Sequence, residues 1–272
     1  MSLVDISILV EISNHREFAE LPDMAKLSGK TAVVTGASKG IGAGIAREFA
    51  AQGAAVVVNY ASDKQGAEKV VAEIKGKGGQ AIAVQGDVAK LGDVKRIFAE
   101  AKQAFGRLDI LVNNAGVYKF LPLDAVTEEE FHREFNINVL GLLLATQEAA
   151  RQFGPEGGSV INIGSVASTI NPPESVIYTA TKHAVNGVTR VLAKELGPKK
   201  IRVNSINPGL VATEGTDAMG IVGSEAEKAM VGMTPLGRVG LPADISPAVV
   251  FLASDEAAWV TGETLAVSGG LR

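Results

Sequence analysis

From Lys30 onward the chain alternates short, β-branched runs with longer stretches of helical spacing, and few architectures accept that rhythm. Residues 31–35, 54–59, 81–85, 110–113, 159–163, 201–206 and 264–267 read as strands. Between them, residues 41–52, 64–75, 91–105, 128–151, 175–196 and 243–253 read as helices. Ser62 and Asp63 mark the start of the second helix, since short polar side chains there accept the free N–H groups of a first turn. Strands apolar on both faces and separated by helices predict an α/β fold: a doubly wound parallel sheet of about seven strands, with helices on both faces. No repeat and no Pro/Gly/Ser linker divides the sequence, so residues 27–272 are expected to form one domain.

Composition closes several alternatives. Apolar residues make up 46% of the chain and 31 of its 272 residues are glycine, which gives ample core and many tight turns. The formal net charge of −4 is spread without long blocks and argues against a nucleic-acid partner held through its phosphates. The absence of cysteine removes disulfides, thiolate zinc sites, iron–sulfur clusters and cysteine nucleophiles. His15, His132 and His183 are too far apart to read as a paired metal motif, so no metal is expected. No apolar run approaches the ~18 residues of a membrane span, and a cytoplasmic protein with no membrane partner is expected. Residues 1–26 lack the basic start and long apolar stretch of a secretory signal. They read as an extension, either frayed and peripherally packed or part of an interface.

The junction of the first strand and first helix carries Thr35-Gly36-Ala37-Ser38-Lys39-Gly40-Ile41-Gly42. Glycines there permit a tight turn, close approach of backbone N–H groups to a pyrophosphate, and tight helix–sheet packing. The helix N-terminus adds free donors and the positive end of its dipole. The spacing is Gly-x₃-Gly-x-Gly. With Gly86-Asp87-Val88, Asn113-Asn114-Ala115-Gly116, Asn138, Ser165, Tyr178-x₃-Lys182 and Pro208-Gly209 following in order, the chain resembles the short-chain dehydrogenases/reductases over residues 27–270.

That resemblance implies a Rossmann-type domain, a nicotinamide dinucleotide and a set of contacts. Gly36, Ser38, Lys39, Gly40, Ile41 and Gly42 would cradle the pyrophosphate. Asp87 and Val88 would hold the adenine, and Asn114, Ala115 and Gly116 the nicotinamide half. Pro208, Gly209, Val211 and Thr213, together with Tyr178 and Lys182, would complete the cofactor site. An acidic residue ending the second strand would select NAD; aligning the strand puts Tyr60 there, followed by Ala61 and Ser62. Lys39 projects toward the same place and suits a 2′-phosphate. The expected cofactor is therefore NADP(H), with Asp63 read as a helix cap beyond reach of the ribose.

Tyr178 and Lys182 are four apart on an expected helix and share a face. A carbonyl reduction needs a proton donor for the developing alkoxide, and a neighbouring ammonium is expected to lower the phenol's pKa toward neutrality. Ser165, just beyond the fifth strand, would polarise the carbonyl, and by the resemblance Asn138 completes the catalytic set by positioning a water next to Lys182. Ile163 and Ala167 around Gly164-Ser165-Val166 exclude a nucleophile elbow, and with it a hydrolase. A dinucleotide-sensing protein is the competing class, set apart by having no need of a proton donor.

Within the family the likeness is to 3-oxoacyl-[acyl-carrier-protein] reductases and bacterial glucose dehydrogenases, with segments 237–240, 251–258 and 260–264 nearer the former. Docking of an acidic carrier calls for basic residues beside the site. Here Glu156 stands where such reductases carry arginine, and Lys199 and Lys200 compensate only in part. A small free carbonyl or alcohol substrate stays open. Residues 214–240, with six glycines, read as a substrate lid holding a short helix over 225–230 capped by Ser224, or else as a permanently ordered excursion. Met219, Met230, Met233, Ile221, Val222 and Val231 would line it. The apolar run Leu140, Leu142, Leu143, Leu144 and Ala145 exceeds what one sheet face covers, and the resemblance implies a homotetramer.

Overall fold

A computed structural model describes residues 25–218, 220–221 and 223–272; of the expected extension, residues 1–24 lie outside these, as do Met219 and Val222. The order is β1 (Thr31–Val34), α1 (Gly40–Ala51), β2 (Ala55–Tyr60), α2 (Lys64–Gly76), β3 (Gln80–Gln85), α3 (Leu91–Phe105) and β4 (Ile110–Asn113). Then come α4 (Glu128–Phe135), a π-helical turn (Asn136–Leu140), α5 (Gly141–Gln152), β5 (Gly158–Ile163), α6 (Ala167–Ile170), α7 (Val176–Leu196) and β6 (Ile201–Pro208). The chain closes with α8 (Glu214–Ala218), α9 (Glu225–Met233), α10 (Pro242–Ala253) and β7 (Thr264–Val267).

The seven strands form one parallel sheet in the order β3-β2-β1-β4-β5-β6-β7. Alternate strand residues face opposite layers. Val34, Val56 and Val58 pack with Ile45, Phe49, Ile74 and Leu252 on one side. Val33, Val57, Leu111 and Val160 pack with Val94, Phe98, Ala145 and Ala149 on the other. Strand order reverses between β1 and β4, which opens a crevice at their carboxyl ends, the place where such sheets bind ligands.

Two departures from the expected elements bear on function. The single helix expected over 128–151 is broken by the π-helical turn at Asn136–Leu140. A widened turn of this kind leaves no mark in hydrophobic spacing, and it carries Asn138. The connection after β6 is more structured than its glycines suggest. Ser224 caps α9 by accepting the Glu227 N–H at 3.2 Å, and the helix runs on to Met233. At its far end Arg238 grips Asp244 through two bonds of 2.7 Å, which hold the Asp244 carboxyl down at about 2.

Candidate active site

The Gly-rich turn is clamped from both sides. Asn59 accepts the Gly36 N–H at 3.2 Å and donates to the carbonyls of Val84 and Gly86. Asn114 donates to the carbonyls of Thr35 and Gly36 at 2.9 Å. Gly36 and Gly40 hold φ of +60° and +58°, which β-carbons resist. A Cβ on Gly36 would meet Ala115 Cα at 2.8 Å, and one on Gly42 would strike the Asn114 amide. α1 starts with no side-chain cap and no acidic residue in its first turn. Its Gly40 N–H donates instead to the Glu214 carboxylate, in the connection after β6, 2.9 Å away. A backbone cradle that presents donors and already accepts an anionic oxygen fits a pyrophosphate.

A cavity along this cradle is lined by Gly36, Ser38, Lys39, Gly40, Ile41 and Gly42, and by Ala61, Ser62, Asp87, Val88, Asn114, Ala115, Gly116 and Thr213. Tyr60 is not among them. It is only 7% exposed, packs within the apolar core, and does not line the cavity. Side chains alternate along the strand, so Asn59 and Ala61 lie on the side that lines the cavity, and Tyr60 lies on the other, packed with Val56 and Val58. Asp63, expected to lie beyond reach of the ribose, lines the cavity while also capping α2 by accepting the Gly66 N–H at 2.9 Å.

The chemistry lies at the adjoining end. Ser165 lies beside Tyr178 and favours its phenolate. Burial outweighs it and pushes Tyr178 up to about 12. Lys182 does not draw the phenol toward neutrality as expected. Its Nζ lies 5.5 Å from the ring centroid and donates to the Ile163 carbonyl at 2.9 Å. Burial brings Lys182 itself down to about 8, so its charge is gone before the phenol titrates. Tyr178 is thus a loaded proton donor at neutral pH. Asn138 accepts the Val117 N–H and donates to the Val117 carbonyl, both at 2.8 Å, and donates to Thr181. A Cβ on Gly116 would stand 3.4 Å from Asn138 Oδ1 and 3.7 Å from Lys182 Nζ, so the two side chains flank that glycine.

A second cavity shares Ile41, Asn114, Gly116, Tyr118 and Thr213 with the first, and Tyr178, Pro208, Gly209 and Val211 line it beneath an apolar roof. Tyr118, Phe120, Ile170, Pro172, Ile221 and Met230 form the roof. Tyr118 stands edge-on to Tyr178, ring centroids 5.6 Å apart. Sequence reasoning missed Tyr118 and Phe120; the signal was two aromatics, two residues apart, directly after the Asn-Ala-Gly turn. Of the lid side chains expected to face inward, Ile221 and Met230 do, whereas Met233 is 59% exposed. Glu156 and Lys200, weighed for carrier docking, pair at 3.8 Å before β5 and β6. That is the amino edge of the sheet, opposite the site, so these residues do not bear on docking beside it.

Among the described residues no helix is long and apolar enough to cross a membrane. Residues 36–272 match the family model described as enoyl-(acyl carrier protein) reductase. An uncharacterised oxidoreductase of Methylorubrum extorquens is 57% identical over 92% of this chain and all of its own length. The hydroxynaphthalene reductase-like protein Arp2 of Metarhizium guizhouense is 42% identical over 90% of this chain and 95% of its own. The structure of the angucycline C-6 ketoreductase LanV with bound NADP superimposes with a TM-score of 0.85 at 36% identity, over 90% of this chain and 96% of that one. With the cradle, the Ser165–Tyr178–Lys182 cluster and these likenesses in hand, the chain belongs to the short-chain dehydrogenase/reductase family of oxidoreductases.

Proposed function

We propose that the protein is an NADP(H)-dependent carbonyl reductase that converts a free, largely apolar ketone into a secondary alcohol. The observation that carries this reading is the substrate cavity: among the described residues its lining holds no charged side chain apart from Lys182, and Tyr118, Phe120, Ile170, Pro172, Ile221 and Met230 offer it apolar and aromatic surface. A sugar-like substrate would need polar partners for its hydroxyls, which makes the glucose dehydrogenase alternative the weaker one. The likeness to the angucycline C-6 ketoreductase LanV supports the same direction. A bound dinucleotide supplies the hydride. Tyr178 gives its proton to the carbonyl oxygen, Ser165 donates a hydrogen bond to it, and the apolar roof excludes water. Lys39 beside Ala61 and Ser62 supports the phosphorylated cofactor.

A 3-oxoacyl-carrier substrate is the second reading, favoured by the matching family model. Steady-state assays with NADPH and NADH test both, using bicyclic aromatic ketones, β-keto esters, acetoacetyl thioesters and, in reverse, aldoses. Aromatic or alkyl ketones are expected to give the highest kcat/KM. Turnover confined to carrier-bound thioesters or to aldoses would overturn the proposal. We further propose that the protein works as a cytoplasmic homotetramer.

A further inference from the structure

Glu134 on α4 is fully buried, an uncommon state for a carboxyl group outside an ion pair. Its Oε1 accepts the Lys119 N–H at 2.8 Å, and no donor reaches Oε2. One turn back on α4, the carboxyl group of Glu130 faces it, held by Arg133 through contacts of 2.6 and 3.1 Å. Two carboxylates facing each other in a dry site repel, and one proton between them replaces repulsion with an O–H···O bond. Arg133 stabilises charge on Glu130, so the proton sits on Glu134 and is donated toward Glu130.

The position of this group is what gives it a role. Asn138 holds Val117 by its backbone and Glu134 holds Lys119 in the same way, so together they fix the residue between. That residue is Tyr118, which packs on Tyr178. Groups facing Glu134 come from three elements: Glu130 and Arg133 on α4, Tyr118 and Lys119 after β4, and Tyr178 and Lys182 on α7. A negative charge at Glu134 raises the pKa of both Tyr178 and Lys182.

We propose that Glu134 is a positioning residue for catalysis: its carboxyl group fixes Tyr118 against Tyr178 and, by gaining and losing the proton it shares with Glu130, tunes the acid–base behaviour of the Tyr178–Lys182 pair. Burial raises the Glu134 carboxyl to about 7, so its charge changes within the working range. Below that pH the neutral acid leaves the pair untouched. Above it, the anion makes Tyr178 hold its proton more tightly and keeps Lys182 charged to higher pH.

The effect on turnover rests on the carbonyl-reductase reading, whereas the ionisation does not, so two readouts separate them. The first is ¹³C NMR titration of protein labelled at the glutamate carboxyl carbons. Wild type is expected to show one carboxyl titrating near pH 7 that Glu134→Gln lacks, and Glu130→Gln, which removes the neighbouring charge, is expected to move it downward. Absence of such a resonance, or its indifference to Glu130→Gln, overturns the proposal whether or not any ketone is reduced, and the Glu130 variant keeps the test alive if Glu134→Gln does not fold. The second is the pH profile of kcat/KM for alcohol oxidation, in which Tyr178 must accept a proton. Glu134→Gln retains an acceptor for the Lys119 N–H, so its profile should match wild type below pH 6 and shift its basic limb down by about half a unit, a roughly threefold gain on that limb. Superimposable profiles from pH 6 to 10 would overturn the tuning.

Discussion

Tyr178 and Lys182 were legible as a pair because residues four apart on a helix share a face, but their acid–base behaviour was not. It depends on desolvation and on where the ammonium points, and spacing carries neither. The phenol near 12 is suited to giving a proton to a nascent alkoxide. Tyr178→Phe removes only the hydroxyl, so fluorescence titration should show NADPH binding retained while ketone turnover falls by roughly 10²–10⁴. Turnover near wild type would remove Tyr178 from the mechanism. Tyr60 illustrates the limit of motif alignment. Successive side chains of a strand face opposite layers, so the residue expected at the ribose packs in the core instead. Tyr60→Asp would place a carboxylate in an apolar layer and is expected to lower the melting temperature without a clean change of cofactor. Ala61→Asp puts the charge in the cavity and should shift the kcat/KM ratio from NADPH toward NADH. An unchanged ratio would place the 2′-phosphate elsewhere.

Strands and most helices were readable to within a residue or two, since burial on both faces of a parallel sheet leaves β-branched runs that little else produces. The π-helical turn holding Asn138 and the short α6 after Ser165 were not, because both are set by packing against neighbours. The connection over residues 214–240 falls between these cases. Its α9 was foreseen from Ser224, while its ties to the body were not: Glu214 bonds the Gly40 N–H, and Arg238 bonds Asp244. Gly220, Gly223 and Gly237 take positive φ, leaving the backbone between these ties free to rearrange at little cost. Hydrogen exchange over residues 214–240 should therefore slow when NADPH and a ketone are both present. Protection already high without ligand and unchanged on its addition would make the segment a fixed cover.

The reversal of strand order between β1 and β4 places the cradle and the proton donor along one edge of the sheet, which is why motifs scattered from Gly36 to Thr213 meet. The opposite consequence of that plan is surface left without a layer to cover it. Phe131, Leu140, Leu143, Val176 and Val191, on the α4–α5 and α7 helices, are 37–53% exposed. Near the edge strand β7, Phe251 and Leu265 are exposed by 38% and 42%, and Trp259 is 100% exposed. Apolar groups left exposed in this way suit partners, and the proposed tetramer would use two different two-fold contacts, one for each set. Trp259 is the chain's single tryptophan, so its emission reports on one of these contacts alone. Light scattering at micromolar concentration is expected to give the mass of four chains, and dilution should move Trp259 emission to the red as that contact opens. Leu143→Glu should break the helical contact, halving the mass while Trp259 emission stays blue. A monomeric mass for the unaltered protein, with red emission at every concentration, would refute both contacts.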